Sequence, residues 1–96
     1  MDEHGTPEYL TYSGDGHCDI ELDRMVTLAS GVEVGALRMR EPTVEDQVRH
    51  DEAKGSEAAK EIATMAHLCE MSPDDIKRLP LKSYKRLQEA YQGFLL

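Results

Sequence analysis

Apolar and acidic residues alternate one for one from Cys18 to Asp23: Cys18, Ile20 and Leu22 fall on one side, Asp19, Glu21 and Asp23 on the other. A period of two places one face of an extended chain in a core and the other in water, so this run predicts a strand. The same parity resumes at Val26 and Leu28 after an Asp23-Arg24-Met25 interruption that reads as a bulge or a turn. Ala29-Ser30-Gly31 supplies a reversal, with Gly31 free to take positive φ. Val32 and Val34 then alternate on the way back, and Leu37 and Met39 follow with the opposite parity, so Gly35-Ala36 must absorb a slip of one residue. The expected product over residues 17–40 is a hairpin or small antiparallel sheet, polar outside through Glu33, Arg38 and Arg40.

Pro42 ends the strand because it has no N–H for a ladder, and Thr43-Val-Glu-Asp46 reads as a helix cap with acidic residues in the first turn. The first helix has thin apolar content, Val44 and Val48 at i, i+4, and runs into Gly55-Ser56. Ser56 caps a second helix whose Ala58, Ile62, Met65, Ala66 and Cys69 form one stripe. Ser72-Pro-Asp-Asp75 caps a short third helix that buries Ile76 and Leu79. After Pro80, Leu81, Tyr84, Leu87, Tyr91 and Phe94 recur at spacings of three or four, with Lys82, Lys85, Arg86 and Glu89 facing away. The fold class is α+β: a hairpin or small antiparallel sheet (17–40) followed by a small helical bundle (43–96), one domain over 17–96. Residues 1–16 mix acidic groups with Gly5, Pro7, Gly14 and Gly16 and are expected to form a flexible acidic lead-in. Within it, Tyr9, Leu10 and Tyr12 offer either a short edge strand or a docking element.

With 96 residues, no Trp and a single Phe, the core must be aliphatic, helped by Met25, Met39, Met65 and Met71. No apolar run reaches bilayer length, and the Met1-Asp-Glu-His start lacks the basic and apolar regions of a signal peptide, which points to a cytosolic chain. The net charge of −8 is uneven: residues 1–40 carry −5, residues 41–75 carry −7, and residues 76–96 carry +4. The basic end is therefore suited to an acidic surface, either a partner or a neighbouring copy. Nucleic acid is a weaker match, since the mean field opposes a polyanion and no aromatic or Gly-rich motif accompanies Lys77, Arg78, Lys82, Lys85 and Arg86.

The residues that bear chemistry do not converge by spacing. Cys18 and Cys69 are too few for a disulfide framework and read as reduced thiols, with Cys69 on an apolar helix face. His17-Cys18-Asp19 with His4 falls short of the paired ligands a zinc site needs. Ser13-Gly-Asp-Gly16 lacks the oxygen array of a calcium loop and the Lys-Ser/Thr of a phosphate loop. His50 and His67 sit alone on helices. No catalytic, cofactor or metal site is expected.

Taken in order, the strand, Leu37-Arg-Met-Arg40-Glu-Pro-Thr43, Asp46, Met65-Ala-His-Leu-Cys69-Glu-Met-Ser72, Leu79-Pro80, Tyr84 and Gly93-Phe94-Leu95 resemble the small tail assembly chaperone family of contractile-tailed, Mu-like bacteriophages and related tail-like particles. The resemblance runs from about Ile20 to Leu96. It implies a non-catalytic protein of the host cytoplasm, absent from the mature particle. Its partner would be the tape measure protein, kept soluble while the tail tube polymerises around it, and a longer form made by ribosomal frameshifting would accompany it. On this reading the partner-binding surface is expected at Met65, Met71, Tyr84, Tyr91, Phe94 and Leu95, with self-association as a further property. The alternative is a small adaptor or regulator that binds nucleic acid through the basic C-terminal helix.

Overall fold

The computed structural model describes residues 5–96 and shows a three-stranded antiparallel sheet followed by four helices. The strands are β1 (Leu10–Ser13), β2 (His17–Thr27) and β3 (Glu33–Arg40), in the order β1-β2-β3. The helices are α1 (Val44–Glu52), α2 (Glu57–Leu68), α3 (Pro73–Lys77) and α4 (Leu81–Phe94). The fold class is thus α+β.

The alternation read from Cys18 to Asp23 sets the register. Two apolar rows cross all three strands, Leu10-Ile20-Leu37 and Tyr12-Cys18-Met39. Cys18, Ile20 and Met39 are fully buried under the helices. The opposite row, Thr11-Asp19-Arg38, is open to water, where Arg38 Nε stands 3.3 Å from Asp19 Oδ1. The parity slip is absorbed where expected and is larger than one residue. Glu21 pairs with Ala36 and Val26 with Val34, so Leu22–Met25 lies opposite Gly35 alone. The reversal at Gly31 has φ +93°, a conformation that costs a residue without Cβ nothing.

Of the two readings offered for Tyr9, Leu10 and Tyr12, the edge strand is the one found: β1 lies within the lead-in, because Leu10 and Tyr12 complete the two apolar rows and β2 would otherwise be an open edge. Residues 1–4, His4 among them, lie outside the described residues. The first helix, thin in apolar content, is nonetheless ordered over nine residues, while Val44 and Val48 are 82% and 46% exposed. The buried residue of this helix is Asp46, at 6% exposure. Arg40 donates to both of its carboxylate oxygens at 2.7 and 2.8 Å, the Thr43 N–H donates at 2.8 Å, and Thr43 Oγ1 in turn accepts from the Asp46 N–H at 3.3 Å. Arg49 lies 3.3 Å away. A carboxylate so fully paired tolerates burial, so α1 is held to the end of β3 by an ionic latch and its valines are left in solvent. The Arg40 guanidinium, first among the causes, holds the Asp46 carboxyl far below the usual carboxylate range.

The remaining helices follow their caps. Ser56 accepts from the Ala59 N–H, and Ser72 with Asp75 forms a capping box. Asp75 also accepts from the Ala29 N–H at 2.8 Å, which ties the β2–β3 turn to α3. On α2 the buried residues are Met65, Ala66 and Leu68, whereas Ala58 in the first turn is exposed.

Candidate functional site

The last helix is rotated from the face its aromatic spacing predicts. Ser83, Leu87 and Ala90 are the residues it buries against the sheet, while Leu81 is 69% exposed and Tyr84 and Tyr91 are half-buried on its flank. Small residues decide this. Ser83 and Ala90 let the helix approach β2 closely enough for Ser83 Oγ to accept from the Asp23 N–H at 3.2 Å, and Arg86 donates to the Glu21 carbonyl at 2.8 Å. A helix resting on its tyrosines would stand too far off for either bond.

The end of α4 is clamped by the N-terminal segment. The Tyr12 hydroxyl donates to the Ala90 carbonyl at 2.9 Å, and its ring meets Phe94 edge-on with centroids 5.1 Å apart. Gly93 makes room for that ring: a Cβ there would stand 1.9 Å from Tyr12 Oη. Burial pushes the Tyr12 hydroxyl up to about 12, so it remains a donor at neutral pH. Tyr9 lies against the same helix, its hydroxyl donating to Glu89 and its ring 4.0 Å beneath the Arg86 guanidinium.

Two clefts open on either side of the Gln88 and Gln92 ridge of α4. One, about 630 Å³, is walled by Pro7, Leu10 and Tyr12 on one side and by Lys85, Gly93 and Leu96 on the other. The second, about 390 Å³, lies between α4, α2 and α1, with Met65 and Tyr91 joined by Gln47, His50 and Thr64. Glu61 closes the second cleft at one end, accepting from the Tyr84 hydroxyl and from Gln88 Nε2 at 2.7 Å. Burial first, then the bond to Glu61, raises the Tyr84 hydroxyl and keeps it protonated. A third, apolar groove of about 250 Å³ runs between Ile62, Ile76, Leu79, Leu81 and Tyr84.

The residues named from sequence for partner contact therefore do not form one surface. Tyr91 lines the second cleft, over a Met65 that is only 4% exposed; Tyr84 lies in the apolar groove; Met71 is half-buried. Phe94 is the last residue of α4 and spends its ring on Tyr12, while Leu95 beside it is 59% exposed. Sequence reasoning passed over Gln88 and Gln92, which border both clefts beside α4, because isolated amides carry no periodic signal. It placed Arg86 and Glu89 on a face turned away from the core, because their partner Tyr9 is some eighty positions earlier.

The titratable groups are dispersed. Desolvation raises both thiols, Cys69 to about 12, which leaves them as neutral hydrophobes rather than nucleophiles. His17 pairs with Asp15 at 3.3 Å and His50 with Asp51 at 3.2 Å, both at the surface. Among the described residues no group of three or more His, Cys, Asp or Glu is placed to hold a metal ion, and no helix is long and apolar enough to cross a membrane.

A family model described as "Phage tail assembly chaperone proteins, E, or 41 or 14" matches residues 19–96. No curated protein and no solved structure matches the chain. The matched span holds nearly all of β2, with β3 and the four helices, and β1 precedes it. The Arg40, Thr43 and Asp46 of the latch, and the Gly93-Phe94 that receives Tyr12, all fall inside it. Since the match covers most of its length, the chain belongs to the phage tail assembly chaperone family.

Proposed function

We infer that this tail assembly chaperone binds the tape measure protein and holds it in solution while the tail tube forms. The observation that carries the reading is the C-terminal half of α4. A ridge of two amides is flanked by clefts of about 630 and 390 Å³ and ends in the exposed Leu95. An amphipathic helix laid along such a ridge would place apolar side chains in both clefts while Gln88 and Gln92 bond its polar groups. Met65 beneath the second cleft is a soft, adaptable floor, suited to a succession of similar helical segments. The contact set proposed is Tyr91 and Leu95 with Gln88 and Gln92, over Met65 and beside Phe94; Tyr84 and Met71 are left out of it. The role is one of binding, without catalysis, in the host cytoplasm, and the protein leaves before the particle matures; a frameshifted longer form belongs to the same reading.

Nucleic-acid binding through the basic helix is disfavoured by how two of its three cations are used. Lys82 pairs with Asp23 at 3.3 Å, and Arg86 is held by the Tyr9 ring and the Glu21 carbonyl. Co-expression tests the proposal. The tape measure protein should be soluble with the wild-type chain and should precipitate with a Tyr91→Ala, Leu95→Ser double variant that melts normally. Equal solubility with both would remove the assignment of this surface, and precipitation with both would remove the tape measure protein as partner.

A further inference from the structure

Glu61 is the one carboxylate in the lining of the second cleft, and it is half-buried there. Both bonds it accepts, from the Tyr84 hydroxyl and from Gln88 Nε2, end on Oε2. Oε1 takes no hydrogen bond or ion pair among the described residues, and since no fully buried side-chain oxygen among them lacks a partner, solvent reaches it. The cations around it are used elsewhere. Lys60, next in sequence, pairs with Glu57 at 3.6 Å, Arg49 pairs with Asp46, and His50 in the same lining pairs with Asp51 and Glu57. Glu61 is thus held by neutral donors alone and keeps its charge. The rest of the lining suits a long aliphatic stem, since Met65 and Tyr91 supply thioether and ring surface. The first cleft has the opposite sign: Lys85 lines it and pairs with no carboxylate among the described residues, while its Glu89 accepts from the Tyr9 hydroxyl.

We propose that the second cleft is a receptor for a basic side chain, a lysine or arginine of the bound helix, whose charged tip ends on Glu61 Oε1. The inference rests on the reading of the α4 ridge as the partner surface, and it tells the two clefts beside that ridge apart. The methylene stem of such a side chain covers Met65 and passes the Tyr91 ring, so apolar atoms fill the entrance and only the tip is charged. A cation near the ring face gains further attraction from it. Tyr84 and Gln88 already fix the carboxylate, so a charge-assisted bond to its open oxygen needs little ordering on this side of the contact. The −7 carried by residues 41–75 attracts the same cation from a distance. Lys85 repels it from the first cleft, which sets the direction in which an amphipathic helix lies on the ridge: its cationic flank over α1 and α2, its apolar flank over the N-terminal segment.

The test titrates two small probes into the labelled full chain, n-butylguanidinium chloride and N-butylurea, its neutral counterpart of the same shape, at constant ionic strength. Amide shifts at Thr64, Gln88 and Tyr91 should saturate with the cation and not with the urea, while Leu10 and Leu96 of the first cleft stay unmoved. Glu61→Gln keeps an oxygen for Tyr84 and Gln88 and removes the charge, so it should melt as the wild type does and lose the response. Equal responses to the two probes in the wild type would overturn the proposal whatever the variant does. So would a cation response that persists in Glu61→Gln. A second arm uses a helical fragment of the tape measure protein in which each Lys or Arg in turn is replaced by norleucine. One replacement should weaken binding to the wild type by about tenfold and leave binding to Glu61→Gln unchanged. Fragments that bind with no such position would overturn the proposal, whereas a cleft that takes the cation in a chain that binds no fragment would keep the site and remove the tape measure protein as its partner.

Discussion

Replacing Gly93 by Ala sets two well-defined effects against each other. In a solvent-exposed helix the change stabilises by up to about 1 kcal/mol, because Gly has the larger backbone entropy to lose. Here the new Cβ would stand 1.9 Å from Tyr12 Oη and 2.7 Å from Cζ. To restore ordinary contact the ring end must move by roughly 1.5 Å. A tyrosine has few ways to do so while its hydroxyl is bonded to the Ala90 carbonyl and its ring is set edge-on to Phe94. Overpacking of this kind costs about 1–3 kcal/mol, and losing the hydrogen bond costs about 1 kcal/mol more. Strain therefore exceeds propensity, and Gly93→Ala should destabilise by about 1–3 kcal/mol net. For a domain of this size each kcal/mol is a drop of about 4–8 °C in Tm. In a Tyr12→Ala background the obstacle is gone, and the same substitution should be neutral or stabilising. Urea melts of the four proteins in this cycle read the sign directly. If Gly93→Ala stabilises both backgrounds, the Tyr12 ring is not seated on α4, and the clamping of β1 to the C-terminal helix is wrong.

Three further outcomes follow from the same packing. Asp46→Ala leaves the Arg40 guanidinium without its partner and removes the α1 cap, so a loss of about 3–5 kcal/mol is expected in urea melts; a change within 0.5 kcal/mol would mean that the latch carries nothing. Since the folded-state carboxyl of Asp46 lies far below its unfolded value, its stabilisation is complete above the ordinary carboxylate range and is lost as pH falls below about 4. The pH dependence of Tm in that window should flatten in Asp46→Ala. Leu87→Ala, at a fully buried position, should cost about 2–5 kcal/mol, whereas Val44→Ala on the exposed face of α1 should stay within about 0.5 kcal/mol. Removing residues 1–16 uncovers Ile20, Cys18 and Ala90, and the melting temperature should fall by several degrees; an unchanged melt would show that β1 contributes no stability.

What could be read from the sequence were the features with short-range causes. The β2 alternation, the Gly31 reversal, the Thr43, Ser56 and Ser72 caps and the Pro80 boundary all stand in the structure, because each depends on residues within a few positions. The misread features depend on distant partners. The burial of Asp46 depends on Arg40 to neutralise it, and no periodicity rule assigns a carboxylate to a core. The face of α4 was taken from its large residues, but Ser83 and Ala90 set it by permitting close approach to β2. Tyr12 could be read either as strand or as docking element, since what seats it, the space at Gly93, is near the other end of the chain. The proposed partner surface was legible only in part: Tyr91 and Leu95 stood out, whereas the amides that border the clefts did not.

The most direct measurement of the central claim is amide chemical-shift mapping of the labelled chain titrated with helical fragments of the tape measure protein. Saturable shifts are expected at Gln88, Tyr91, Gln92 and Leu95 and along the two clefts at Thr64 and Tyr12. Thr11, Asp19 and Arg38 on the open face of the sheet should be unmoved. Shifts confined to that sheet face, or none with any fragment along the partner, would contradict the account.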